Sequence, residues 1–502
     1  MILDALQAAV VTIAGLLLLS AAGVRNPLVR YGLAPLLGIA VLVVVGVGFA
    51  VLTLRMLPWA ILPLVILLPL ALFVGARRAR LGTPIEWRRF TAAAVGAAVI
   101  GAGCSALARV NYHTDSFEYL TIASQLVQGT FLEAISYFQL ERRMFAVGTL
   151  HATSISEGNA YSLGATPFLA FALLLAIGVM LWVGLRARSL SPLWAGLVVG
   201  IAVGGLAVMN RFVWNAFYVN GHLLFAALLV GIVGLAWLRA LNALEATRWG
   251  IVGAQSVLLI ALVLTRTDAA FTAILAIIPS LVMTSIPRAE RGLLLLAIGA
   301  PLLAWEGFVI LIGRRVGGEI TIAMLGLVAL AVVLMASTVL LRWSKLFAHP
   351  GRILLAVEAA AWAALAVLTL RDPSVLLDSL KAAFANIVLG EGGWGPSIVV
   401  LGVVVIATLA SIRSAERVHM RFALTTFVPL AFLLAFLRDS PYRIAEADSL
   451  NRMVIQIVPL MVVVIAASAI GSWRGRRAVS LVAESGDVAP GQLDDARASS
   501  PH

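Results

Sequence analysis

The sequence predicts an all-α polytopic membrane protein with about 15 transmembrane helices, because its apolar runs recur at the roughly 20-residue length that crosses a bilayer. Three observations carry that expectation. Of 502 residues, 62% are hydrophobic and only 12% charged, where a soluble domain has about 25% charged residues. The mean hydropathy is +1.03. The charged side chains cluster in short stretches between the apolar runs, so they cannot cover a soluble surface. The net charge of +12 is therefore not a nucleic-acid footprint; excess arginine in a multi-spanning chain marks loops facing anionic lipid on the cytoplasmic side. Lysine occurs only as Lys345 and Lys381, a bias that reads as a GC-rich genome.

The expected spans run near 5–23, 33–54, 57–76, 91–108, 163–185, 192–209, 221–238, 249–265, 269–286, 292–313, 320–341, 353–370, 397–412, 422–437 and 453–471. The first has no basic residues ahead of it, unlike a cleaved signal peptide, and reads as a retained span. Alternate connections then divide by charge. One set holds Arg25 and Arg30, then Arg77, Arg78, Arg80, Arg88 and Arg89, and continues through Arg186, Arg188, Arg239, Arg248, Arg288, Arg291, Arg342, Lys345, Arg352, Arg413, Arg417, Arg421 and the tail arginines. Because this set carries most of the basic residues, it is expected in the cytoplasm. The N-terminus then faces out and the C-terminus in. The expected organisation is N-terminal helices over 1–90, a core over 91–471, and a tail over 472–502 with the Ser, Gly, Pro, Asp and Ala composition of disorder.

The lone cysteine, Cys104, sits in an apolar run, where a packing role is expected and no intrachain disulfide can form. Trp214, Trp305, Trp394 and Trp473 read as interface anchors. Glu306 and Glu358 fall at membrane depth, where a charged carboxylate costs roughly 2.5–3.5 kcal/mol, so each should face protein or a cavity, or be protonated.

Chemistry is expected in the outer loops, above all the one at 109–161. Within it Phe117, Leu120, Ile122, Ala123, Leu126 and Val127 recur at helical spacing, the pattern of an amphipathic helix lying in the membrane interface. Asp115 stands at its start with Glu118 one turn later. Such an acid, held at the boundary of water and lipid, suits a general base acting on a hydroxyl. The same spacing also suits a capping box opened by Thr114 or Asp115, and both readings stay open.

The stretch from Asp115 through Tyr119, Ala123 and Leu126 to Gly129 resembles the first outer loop of the GT-C glycosyltransferases, integral membrane enzymes that use polyprenyl-phosphate sugars as donors. The segment 161–169 with Pro167, the segment 264–268 with Arg266, and Asp448-Ser-Leu-Asn451-Arg452 followed by Pro459 are similar to later elements of that family. Two positions depart from its pattern: Ser116 stands where a second acid is common, and Met453 where Tyr is usual. The resemblance implies a GT-C-like fold and an inverting transfer of sugar from a polyprenyl-phosphate donor to an envelope glycan, lipid or protein acceptor. It would occur at the extracytoplasmic face of a bacterial cytoplasmic membrane. Asp115 would be the base, with Glu118 beside it.

Arginines on the expected outer side then become candidate phosphate binders: Arg142, Arg143, Arg211, Arg266, Arg443 and Arg452, since the planar guanidinium donates bidentately to phosphate. The alternative for each is a lipid headgroup or a nearby acid, such as Asp268 for Arg266. Tyr119, His151, His222 and Asn451 complete the candidate substrate contacts, while a lone histidine at a span edge also reads as a satisfied interfacial residue. No His, Cys, Asp or Glu spacing makes a metal motif; relatives of the family differ in using a divalent ion, so Mg or Mn stays open. A transporter or flippase of a lipid-linked saccharide, with Glu306 and Glu358 as relays, is the alternative from another class. A lipid-linked polymerase or ligase is third.

Overall fold

A computed structural model describes residues 1–108, 114–134, 144–152, 164–283, 286–341, 349–411, 418–438, 440–446 and 448–468. Among these, every regular element is helical and there is no strand. A bilayer offers no partner for an unsatisfied backbone amide, so spans close their hydrogen bonds internally.

In chain order the helices are α1 (Ile2–Ala21), α2 (Pro27–Thr53), α3 (Pro58–Arg78), α4 (Trp87–Leu107), α5 (Thr114–Gln128), α6 (Phe131–Ala134), α7 (Phe145–Ala152) and α8 (Ala165–Ala187). There follow α9 (Pro192–Ala207), α10 (Asn210–Ala216), α11 (Gly221–Ala240), α12 (Arg248–Val263), α13 (Ala269–Val282), α14 (Arg288–Arg315) and α15 (Ile322–Leu340). The last group is α16 (Pro350–Arg371), α17 (Pro373–Ala383) continued by a π turn (Phe384–Val388), α18 (Pro396–Ser411), α19 (Val418–Leu437), α20 (Ser449–Val454) and α21 (Val458–Ser468).

The chain is thus an all-α multi-pass membrane protein. Among the described residues nine helices are long and apolar enough to cross a membrane, or ten if α9 and α10, bent by 68°, form one span. The other apolar segments expected from the sequence are α12, α13, α18 and α21, shorter helices of 10–17 residues, and α19, of 20 residues.

Proline and polar caps set many of the starts. Pro27, Pro58, Pro192, Pro350 and Pro373 occupy first-turn positions, where the missing N–H has no helical partner to lose, and the side chains of Asn26, Ser191, Asn220, Thr247, Thr321 and Asp448 accept from the first turn of their helices.

Helix α11 is central, with 89% of its apolar stretch buried, whereas α4 and α16 are 11% buried and present broad apolar faces outward. α1 and α2 pack on each other and on α4, α8 and α12, so residues 1–90 join the same bundle. Their crossing is close enough that a Cβ on Gly38 would lie 1.6 Å from the Val11 carbonyl oxygen. Small residues permit such approach where lipid gives no hydrophobic incentive for helices to associate.

The arginine-rich end is tied together by side chains. Glu290, buried at the start of α14, pairs with Arg239 at 2.5 Å and also with Arg248. Arg30 donates to the Thr83 hydroxyl at 3.2 Å and the Pro84 carbonyl at 2.9 Å.

Two expectations change in the structure, and a third holds. α5 forms where expected, but Leu120, Ile122, Ala123 and Leu126 are buried in the bundle against α7, and only Phe117 of that pattern is exposed. It is a docked helix whose apolar face is turned to protein. Trp305 and Trp394 are each 1% exposed and so are core residues rather than anchors. Trp305 stacks edge-on against Phe145 at 5.0 Å. The exposed tryptophans among the described residues are Trp59, Trp87, Trp194 and Trp249, each in the first turn of its helix, and Trp362 in the middle of α16; Trp214 is half-buried and Trp473 lies outside the described residues. Glu306 is buried, and Glu358 pairs with Arg421 at 3.3 Å and accepts from the Thr425 hydroxyl at 2.5 Å.

Candidate active site

The start of α5, the turn before α11, the starts of α11 and α13, and the connections near 371–396 and 438–452 come together at the end of α11 opposite the arginine-rich one. Asp115, in the first turn of α5, is buried there. Its Oδ2 accepts the Tyr218 hydroxyl at 3.1 Å and is ion-paired with Arg452 from α20. Arg452 Nη1 also donates to the Tyr218 oxygen at 3.4 Å. Tyr218 is fully buried in the turn between α10 and α11, with its ring 4.3 Å from that of Trp214. The Asp115 carboxylate is therefore engaged by residues more than 100 positions away, whatever caps α5. Glu118 is half-buried one turn further on.

Beside this group lies a second one. Arg266 pairs with Asp268 at 2.8 Å and donates through Nη1 to His222 Nε2 at 3.3 Å. The other ring nitrogen, Nδ1, lies 2.9 Å from the Gln456 side-chain nitrogen. Burial alone would raise the Asp268 carboxyl, but the adjacent Arg266 guanidinium outweighs it and holds the group below the usual carboxylate value. The Tyr119 hydroxyl and the Arg266 side chain both reach the start of α11 at Gly221.

A cleft of about 370 Å³ opens next to Arg452, lined also by Arg438, Ser440, Tyr442, Arg443, Asp448 and Ser449. Asp448 is committed as a cap, accepting from the backbone N–H groups of Leu450 at 2.8 Å and Arg443 at 3.0 Å. The cleft is consequently basic. Arg438 and Arg443 are exposed at its rim, and Arg452 is partly buried, which pulls its guanidinium below its ordinary value. Arg452 Nε is buried with no hydrogen-bond partner among the described residues.

α20 separates this cleft from an apolar groove of about 690 Å³. Ser449 and Arg452 face the cleft, while Leu450 and Val454, followed by Ile457 and Met461, line the groove. The groove continues between α16, α18 and α19 to Glu358 and Thr425.

Other expected contacts have different duties. Arg211, 2% exposed, donates through Nε to the Gly392 carbonyl at 2.7 Å, pairs with Glu446 at 3.4 Å and also bonds the Glu446 carbonyl. It clasps two loops rather than facing a ligand. Asn451, 1% exposed, accepts from Trp394 Nε1 at 3.2 Å and donates to the Ala445 carbonyl at 2.7 Å. A Cβ on Gly392 would come within 2.4 Å of the Asn451 oxygen, so only glycine fits there. Asn386 completes the clasp through the Arg443 carbonyl at 2.8 Å and the Ala445 N–H at 3.1 Å. His151 is 1% exposed with Nε2 3.1 Å from the Thr166 hydroxyl, an interior histidine. Arg142 and Arg143 lie outside the described residues.

Sequence reasoning gave no role to Gln456 or Arg438 and no partner to Tyr218. Tyr218 and Gln456 sit in polar interruptions of otherwise apolar stretches, and that was their only signal. Among the described residues no group of three or more His, Cys, Asp or Glu could hold a metal ion. No family model, curated protein or solved structure matches the chain.

Proposed function

We propose that this protein is a membrane glycosyltransferase of GT-C type, moving a sugar from a polyprenyl-phosphate donor to an envelope acceptor at the extracytoplasmic face of a bacterial cytoplasmic membrane. The single observation that carries the reading is the order of chemical environments along α20. An apolar groove meets a basic cleft, and the cleft meets the buried carboxylate of Asp115 through Arg452. A lipid phosphate sugar has the same order: an apolar tail, an anionic link and a sugar.

In the proposed reaction Asp115 takes the proton from the acceptor hydroxyl, and that oxygen attacks the anomeric carbon from the face opposite the phosphate. The bond from that carbon to the phosphate oxygen breaks, the configuration inverts, and the polyprenyl phosphate leaves with the electron pair. Arg452, with Arg443 and Arg438 at the rim, stabilises the charge gathering on the leaving phosphate. The sequence resemblance and the arginine asymmetry between alternate loops support the same face, with fifteen spans, the N-terminus out and the C-terminus in.

The test is linkage analysis of envelope glycans from a deletion strain complemented with wild type or Asp115→Asn. Loss of one linkage, restored by wild type alone, is the expected result. Equal restoration by Asp115→Asn removes Asp115 as the base, and a deletion strain that loses no linkage removes the transferase reading.

One observation favours a second reading, a flippase of a lipid-linked saccharide. Glu358 brings a carboxylate to the far end of the same groove, so polar groups stand at both ends of a lipid path. Glu358→Gln abolishing lipid translocation while Asp115→Asn leaves it intact would select that reading.

A further inference from the structure

Arg452 has two claimants. Its guanidinium is paired with Asp115 and hydrogen-bonded to Tyr218, yet it also forms a wall of the basic cleft, and its buried Nε has no hydrogen-bond partner among the described residues. The guanidinium offers five donors in one plane, and a buried donor left without an acceptor is costly. A phosphate in the cleft could take Nε and a terminal nitrogen together as a bidentate pair. Asp115 has a second tether in Tyr218, whose hydroxyl donates to it at 3.1 Å, so its position does not depend on Arg452 alone.

We infer that Asp115 and the phosphate of an incoming lipid-phosphate sugar compete for Arg452, so that donor binding transfers the arginine to the phosphate and releases the carboxylate for the acceptor. This rests on the donor reading given above. While Arg452 is paired with Asp115, part of the carboxylate's capacity to accept a proton is taken by the guanidinium. Once the phosphate holds Arg452, only Tyr218 of this trio remains on the carboxylate, fixing its orientation. The base is thereby engaged only when the donor is present, and the binding order is donor before acceptor. Tyr218 is a positioning residue in this scheme.

The consequence is counterintuitive: Asp115→Asn, inactive in transfer, should bind the lipid phosphate more tightly than wild type. Full-length protein in lipid nanodiscs would be titrated with undecaprenyl phosphate and, separately, with undecaprenol, across a cycle of wild type, Asp115→Asn, Arg452→Gln and the double variant. Wild type should prefer the phosphate over the alcohol, and Asp115→Asn should tighten phosphate binding by at least about fivefold, the lower end of ordinary coupling between sites. That gain should vanish in the Arg452→Gln background. If the gain persists there undiminished, it is the general effect of removing a negative charge, and the exchange is overturned. An unchanged or weaker affinity in Asp115→Asn overturns it as well, while leaving the donor reading standing. If wild type and Asp115→Asn both bind phosphate and alcohol equally, the donor reading falls and takes the exchange with it. Should Arg452→Gln not yield folded protein, Arg452→Lys takes its place; its point charge cannot form the bidentate pair, so the gain should shrink. A gain in Arg452→Lys equal to that in wild type overturns the exchange.

Discussion

Trp394 and Asn451 are joined by a hydrogen bond of 3.2 Å from the indole nitrogen to the amide oxygen, both side chains being almost wholly buried. The bond ties the glycine-rich turn before α18 to the helix that carries Arg452. Asn451 therefore serves the site from behind, by fixing α20, and its own surface is not offered to substrate. Truncating either partner should cost about 1–3 kcal/mol, the penalty for a buried polar group left alone. Thermal melts in detergent should show Asn451→Ala and Trp394→Phe each lowering the transition, with the double variant less destabilised than the sum of the two. Full additivity would mean that the two side chains act independently.

Asp115 is the residue on which the proposed chemistry turns. Asp115→Asn should lower transfer at least ~100-fold, the usual scale for a general base, with normal membrane insertion. Tyr218→Phe should lower it less and change its pH dependence, because the hydroxyl orients the carboxylate without taking the proton itself. A transfer assay on purified protein across pH decides both points, and near-normal rates for Asp115→Asn would remove it from the mechanism.

Acid should weaken the Arg266–Asp268 pair in a defined direction. The Asp268 value is depressed in the folded protein, so the pair contributes stability above the unfolded aspartate value of ~3.9. That contribution is lost as the pH falls through the lower folded value. Melting curves between pH 3 and 7 should show wild type losing more stability toward acid than Asp268→Asn, which starts lower and has a flatter acid limb. Parallel curves would contradict the assignment.

The proposed orientation can be read by labelling. With Cys104 changed to Ser, single cysteines at Ile444 and Trp249, both more than half exposed and at opposite ends of the bundle, give two reporters. A membrane-impermeant maleimide on intact cells should label Ile444→Cys and not Trp249→Cys. The reverse pattern inverts the orientation and moves the candidate site to the cytoplasm.

At the far end Glu290 neutralises two arginines from inside the bundle. Glu290→Gln should destabilise by about 1–3 kcal/mol, the scale of a charge-assisted hydrogen bond lost at a buried carboxylate whose arginine partners reach solvent. Transfer activity per folded molecule should stay normal, since the site is at the other end. A melt together with an activity titration separates the two effects.

The class of protein was legible in composition alone, because long apolar runs separated by arginine-bearing turns have no other stable arrangement than spans in a bilayer. Asp115 and Arg452 were legible too, as charged residues beside apolar runs on the arginine-poor side. Their direct pairing was not, since 336 residues separate them and no periodicity links one loop to another. Lipid is as apolar as a protein core, so hydropathy marks α4 and α11 alike as spans and says nothing of which faces lipid and which lies at the centre. For the same reason Trp305 and Trp394 read as boundary anchors until the fold enclosed them. Arg211 and Asn451 read as ligand contacts because polar residues at span ends are commonly functional; the tertiary structure instead spends their hydrogen bonds on the loops that hold α20. What the sequence determined by itself was the all-helical membrane class and which charges stand at the ends of its apolar runs. Tertiary packing alone decided which of those charges meet, because a buried charge must find its partner in space and not along the chain.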